Sequence, residues 1–132
     1  YQTANNKNDK GGLAVFVKSS NSDEFKQTLN TMIPVHDVTF TDYPTVEGGP
    51  LTYTHKIVNG KNVYYFANAS DKAIETPVQI RGTLKNPQFW NPHSGERNTI
   101  KNAKVTKVAA QNTTQVMLKI PASRSVFIIA DL

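Results

Sequence analysis

The dipeptide Asn59-Gly60, set between two runs rich in aromatic and β-branched residues, constrains the fold of this chain more than any other feature. An Asn-Gly pair accepts the two positive φ values of a type I′ turn, whose twist matches that of the strands it joins. A two-residue loop also fixes register. With this turn Tyr53 lies opposite Phe66, His55 opposite Tyr64 and Ile57 opposite Asn62, all on one face, while Thr54 and Lys56 share the other face with Tyr65 and Val63. The face carrying Leu51, Tyr53, Ile57 and Phe66 is the more apolar, so it is expected to point inward.

The rest of the chain repeats this grammar. Val38 and Phe40 mark a short strand, residues 43–50 read as a loop, and further strands are expected at 76–81, 88–90, 97–101, 104–109, 115–120 and 125–130. Short strands at roughly 8–12-residue spacing with turn signals between them predict a mainly β fold, an antiparallel β-sandwich of the Ig-like or jelly-roll-like kind. Val126, Phe127, Ile128 and Ile129 are apolar on both faces of their strand, which predicts a central position.

The N-terminal part differs. Residues 1–12 are polar and end in two glycines, the composition of a flexible linker or arm. A short apolar run follows at 13–17, and then one amphipathic helix is expected at about 22–33. Asn21 or Ser22 can cap it, Asp23 and Glu24 suit its positive end, Phe25, Leu29, Met32 and Ile33 form its apolar stripe, and Pro34 closes it. At 132 residues the chain is the size of one domain, expected over 13–132.

Composition removes several classes. No apolar run approaches the ~18 residues of a membrane span, and zero Cys excludes disulfide frameworks and thiolate metal sites. The chain begins at Tyr1 without Met or a charged-then-apolar leader, the form of a mature product or of a piece cut from something longer. Its net charge of +5 is uneven: residues 1–50 carry four Lys against six acids, and 51–132 carry eleven Lys and Arg against four. Arg97, Lys101, Lys104 and Lys107 are the densest basic group and could meet an anionic partner. No aromatic interleaves with those lysines, so a solvated face that discourages edge-to-edge pairing is the preferred reading, with no nucleic-acid partner.

One segment carries a more specific signal. Trp90, Asn91, Pro92, Ser94, Gly95 and Glu96 form a Trp-Asn-Pro-x-Ser-Gly-Glu turn, with Pro presetting one backbone angle and Gly accepting positive φ. Upstream stands an aromatic strand with Tyr65, Phe66 and Asn68, and downstream a closing strand with Pro121, Ser125 and Phe127. In order and spacing these residues, over about the last two thirds of the chain, resemble a module near the C-terminal end of large bacterial glycoside hydrolases of the α-L-rhamnosidase type. Asn91 stands where that module has Asp, and Ser94 where it has Thr. The resemblance implies a β-sandwich accessory domain whose parent, a polysaccharide-degrading enzyme, keeps its catalytic carboxylates in a separate barrel. It also implies the parent's catalytic domain as partner, a plant or host glycan as a second one, and a periplasmic, cell-surface or extracellular location.

The residues themselves offer little catalysis. A glycosidase needs two carboxyl groups held across the scissile bond, and the ten acids show no such pair, Asp42 and Glu47 being the nearest approach. There is no Gly-x-Ser-x-Gly elbow. His36, His55 and His93 lack a local motif, and His36-Asp37 are adjacent, which on a strand directs them to opposite faces. No catalytic residue, metal site or cofactor is therefore expected. Sugar recognition uses exposed aromatics and planar polar groups, for which Trp90, Asn91, His93, Tyr43 and Tyr53 are the candidate set. The preferred expectation, however, makes Trp90 the plug of the sandwich core, with the turn folded over it.

Overall fold

The computed structural model describes residues 4–41 and 49–132, and the chain divides into two compact units, the first ending at Val35 and the second running from His36 to Leu132. In the first, β1 (Ala4–Lys7) pairs antiparallel with β2 (Leu13–Phe16). Residues 4–7 are thus a strand, where composition predicts an arm. Local hydrogen bonding supplies what burial does not: the Asn8 side-chain oxygen accepts from the N–H groups of Lys10 and Gly12, at 3.1 and 2.8 Å, while Gly11 takes a φ of 83°.

Helix α1 (Asp23–Met32) follows, within the expected bounds, and Ser22 is its cap, its Oγ accepting from the Phe25 N–H at 3.2 Å. The helix buries none of its residues. Leu29, Met32 and Ile33 of its apolar stripe are exposed, and Phe25 is half-buried.

The second unit holds two antiparallel sheets. Its strands are β3 (Val38–Phe40), β4 (Leu51–Val58), β5 (Lys61–Asn68), β6 (Ile74–Arg81), β7 (Lys85–Trp90), β8 (Arg97–Thr99), β9 (Lys104–Val108), β10 (Gln111–Ile120) and β11 (Ser125–Asp131). One sheet has the order β3-β6-β10-β9 and the other β4-β5-β11-β7-β8. The β4–β5 hairpin has the register that Asn59-Gly60 dictates, with Tyr53 opposite Phe66 and His55 opposite Tyr64, and the two turn residues have φ of 49° and 72°. β11 lies at the centre of its sheet, as its apolar faces predict.

Alternation builds the core. Val78, Ile80, Val116, Leu118 and Ile120 from the four-stranded sheet meet Leu51, Tyr64, Phe66, Ile128 and Ala130 from the five-stranded one. Each is buried at two-residue spacing along its strand, the pattern of a sandwich with one wet face per sheet. Burying each large side chain contributes about 2 kcal/mol. The inward face of β4 is only partly covered, since Leu51 is buried but Ile57 is 63% exposed.

The turn between β9 and β10 follows the same backbone rule with less suitable residues. Val108 pairs with Gln111, leaving Ala109 and Ala110 as a two-residue loop at φ of 47° and 65°. Alanine has no side chain to compensate the clash of its Cβ in this region, and these positions favour Asn followed by Gly. The double substitution Ala109→Asn, Ala110→Gly is expected to raise stability by about 1 kcal/mol, read as a higher urea midpoint at unchanged m. A fall in midpoint would refute the strain.

Candidate functional site

The Trp turn is held by its own short side chains. The Asn91 N–H donates to the Glu96 carbonyl and the Gly95 N–H to the Asn91 carbonyl, both at 2.8 Å, with Gly95 at a φ of 76°. Asn91 Oδ1 accepts from the N–H groups of His93 (2.9 Å) and Ser94 (3.3 Å), and Ser94 Oγ accepts from the Glu96 N–H. Asn91 therefore uses only its oxygen, which an Asp would also supply, and Ser94 only its hydroxyl, which a Thr would also supply. The two departures noted in the sequence preserve both roles.

Trp90 is not the core plug. On β7 it is Phe89, paired with the fully buried Ile128, that packs against the core, and alternation sends Trp90 to the outer face opposite Phe127. There the indole is half-buried, its N–H donates to Gln88 Oε1 at 2.9 Å, and the Arg97 guanidinium lies 4.1 Å above the ring. Pairing continues on both sides, so one row of directly opposed residues, Thr54, Tyr65, Phe127, Trp90 and Arg97, crosses all five strands of this sheet. Tyr65 and Phe127 have ring centroids 5.0 Å apart. Next to them Thr54, Lys56, Val58 and Val63 complete a groove of about 250 Å³.

Of the sequence candidates, Trp90 lies on this face and His93 reaches its end at Ser125, whereas Asn91 lines a cleft with Phe89 and Val126, which pack against the core. Tyr53 does not join them: it lies on the other face of β4, against Phe40 and Phe66, with centroids at 6.3 and 6.2 Å. Tyr43 lies outside the described residues, as do Asp42 and Glu47 and most of the expected 43–50 loop. Sequence reasoning did not assemble the row itself. The hairpin register already set Tyr65 beside Thr54 and Lys56, but only the pairing of β11 with β5 and β7 adds Phe127 and Trp90.

Two histidines sit in networks that resemble catalytic ones. His93 Nε2 is 3.2 Å from Ser125 Oγ, a base–nucleophile distance, yet Nδ1 faces the Arg124 guanidinium at 3.3 Å, where a triad places a carboxylate. A cation there opposes the imidazolium that base catalysis must form. His55 does have its carboxylate, with Nδ1 3.0 Å from Asp37 Oδ2, while Nε2 meets Asn62 Oδ1 at 3.1 Å and Tyr64 stacks on the ring at 4.0 Å. Its second nitrogen is thus engaged by an amide and not by a nucleophile. Burial, reinforced by the Asp37 charge, pushes the Tyr53 and Tyr64 phenols upward, so neither supplies a phenolate near neutral pH. Among the described residues no three His, Asp or Glu side chains converge on a metal position, and no helix is long and apolar enough to cross a membrane.

The basic group does not form one patch. Arg97 belongs to the five-stranded sheet, while Lys104 and Lys107 sit three apart on β9 and so face opposite ways. β9 is an edge strand, where lysines discourage pairing with another chain. A cleft of about 310 Å³ between Phe89, Val126, Met117 and the polar Asn91, Asn98 and Lys119 contains Glu96 and no second acid.

Asn68, which the sequence set beside the aromatic strand, is a structural hub. Its buried amide Nδ2 donates to the carbonyls of Lys72 (2.7 Å), Pro121 (3.1 Å) and Ile120 (3.3 Å), and its Oδ1 accepts from the Ser70 N–H and hydroxyl. One side chain thereby joins the end of β5 to the β10–β11 turn.

A solved structure of a rhamnosidase from Novosphingobium sp. PP1Y superimposes on 83% of this chain with a TM-score of 0.62 and 24% identity, a likeness of fold that takes up 10% of the rhamnosidase chain. A protein of Formosa agariphila named "Putative beta-glucuronidase" is 29% identical over 79 residues, which are 60% of this chain and 6% of that protein. The chain is similar to a small part of two glycoside hydrolases. No family model matches it. Both relatives are glycoside hydrolases by name, the likeness to the rhamnosidase is one of mainly β fold, and the chain spans a tenth or less of the length of either.

Proposed function

We propose that the chain is a non-catalytic accessory β-sandwich domain of a bacterial, periplasmic or extracellular, polysaccharide-degrading glycoside hydrolase, and that it docks to and supports the catalytic domain. The observation that carries this reading is proportion: the matching segment is 6% of one enzyme and 10% of the other, too little to hold the whole of either machinery. The site chemistry agrees with it. Hydrolysis with retention needs two carboxyl groups about 5 Å apart, whereas Asp37 is tied to His55 and Arg81, Glu75 to Lys119 and Asp131 to Lys61. The motif residues support it too, since Asn68, Asn91 and Gly95 all serve the backbone.

The chain by itself should give no turnover of aryl α-L-rhamnosides, β-glucuronides, galactosides, glucosides or fucosides over hours at high protein concentration. Hydrolysis that disappears when a single acid, such as Glu96, becomes Gln would overturn the reading.

A further inference from the structure

The outer face of the five-stranded sheet has two properties that a merely structural surface does not need. The first is its apolar row: Tyr65 and Phe127 lie side by side with Trp90, and Tyr65 and Val58 are substantially exposed. The aromatic part of the row spans two interstrand steps, or roughly 10 Å at about 4.8 Å each, and Thr54 and Arg97 extend it by one strand at either end. The second is its charge. Strand alternation puts Lys56 and Arg97 on this face, and Arg124 reaches its end beside His93 and Ser125. Asp131, on the same face, is ion-paired with Lys61 and accepts from Asn86, so its charge is already met by a cation of its own.

Arg97 is the most informative member. Its guanidinium rests on the indole of Trp90, and the indole is fixed in turn by its bond to Gln88. A guanidinium supported in this way loses little freedom on binding and presents a planar fork matched to a carboxylate. Its position over the ring also means that Trp90 is not the open stacking surface. The open aromatic surface is the Tyr65–Phe127 pair, flanked by Lys56 on one side and Arg97 on the other.

We propose that this face binds an acidic oligosaccharide, with sugar rings lying along Tyr65 and Phe127 and uronate carboxylates met by Arg97 and Lys56. Charge complementarity selects the carboxylated sugar over a neutral one, and the Tyr65 and Phe127 rings, adjacent but tilted 52° to each other, suit two successive sugar rings of a twisting chain better than one continuous flat ligand. Binding of this kind is independent of whether the chain belongs to a larger enzyme, and the two ideas fail separately: hydrolysis by the chain would leave the sugar face intact, and loss of sugar binding would leave the accessory role intact.

Because Trp90 is the chain's one tryptophan, its fluorescence reports this face directly. The 132-residue chain is titrated with oligogalacturonate and, separately, with cellotetraose, and affinities of variants are measured by calorimetry. A saturable change in emission with oligogalacturonate, absent with cellotetraose and weakening as salt rises, is expected. Arg97→Gln and Lys56→Gln should each weaken binding by about tenfold, the scale of one charge-assisted contact, with the thermal transition unchanged for Lys56→Gln and lowered only slightly for Arg97→Gln, which also loses its contact with the Trp90 ring. Lys107→Gln, which removes a cation from β9, should leave affinity unchanged. Absence of oligogalacturonate binding, equal binding of cellotetraose, or equal weakening by Lys107→Gln would each overturn the proposal. Dimerisation of the free chain that Tyr65→Ala abolishes would assign the face to a second copy and overturn it as well.

Discussion

Phe66→Ala is expected to destabilise the unit formed by residues 36–132 by about 3–5 kcal/mol, the cost of emptying a large aromatic site in a close-packed core. Phe66 is fully buried on β5 and meets Phe40 of the opposing sheet edge-on, with centroids 6.2 Å apart, so its loss opens a cavity where the two sheets join. Total stabilities are about 5–15 kcal/mol, and the variant should show a large fall in urea midpoint. Trp90→Ala is the internal comparison. With the indole on the outer face and half-buried, its removal should cost about 2 kcal/mol, less than Phe66→Ala despite the larger side chain. The reverse order, measured by circular dichroism during urea unfolding, would restore Trp90 as the core plug.

Replacing Asn68 has the second-largest expected effect. Asn68→Ala removes the donor shared by the carbonyls of Lys72, Ile120 and Pro121 and the acceptor of Ser70, and should cost about 2–4 kcal/mol from several lost hydrogen bonds and an emptied buried site. Asn68→Asp should be worse at neutral pH. It keeps the shape and the bonds from Ser70 but turns a carboxylate toward three carbonyl oxygens. Repulsion and burial would raise that carboxyl's pKa in the folded state above its unfolded value of about 3.9. The folded form then binds the proton more tightly, so the variant's stability is greatest below the unfolded pKa and is lost as pH rises through the folded one. Relative to the natural chain, the Asp variant should therefore recover on acidification from pH 7. An Asp variant equal in stability to the natural chain at pH 7 would show that the amide is not the hub.

These expectations rest partly on residues whose roles were legible in one dimension. Asn59-Gly60 determines the β4–β5 register because a two-residue turn with positive φ at both positions admits few alternatives. Alternation along β6 and β10 determines which residues enter the core, because a strand's side chains have a period of two whatever the neighbours are. Ser22 and the acids after it determine where α1 begins, since the orphan N–H groups of a helix start need a local acceptor. The turn after Trp90 is likewise local, every bond that shapes it spanning at most a few residues.

Long-range pairing decided the rest. Whether Trp90 faces inward or outward depends on which residue of β7 meets Ile128, and no pattern within β7 contains that information: both Phe89 and Trp90 are aromatic, and a one-residue slip exchanges them. The strand at Ala4–Lys7 was hidden because its support is a backbone ladder and an Asn turn, without burial that composition could signal. The exposure of Leu29, Met32 and Ile33 was hidden for the opposite reason, since a 3.6-residue stripe says that a helix has an apolar face but not that this chain covers it. The sequence by itself thus determined the local turns, the helix cap, the strand alternation and the mainly β class. Only the tertiary structure decided that Tyr65, Phe127, Trp90 and Arg97 share one row, because strands far apart in sequence are aligned by the packing of their buried faces, and the outer face inherits whatever register that packing selects.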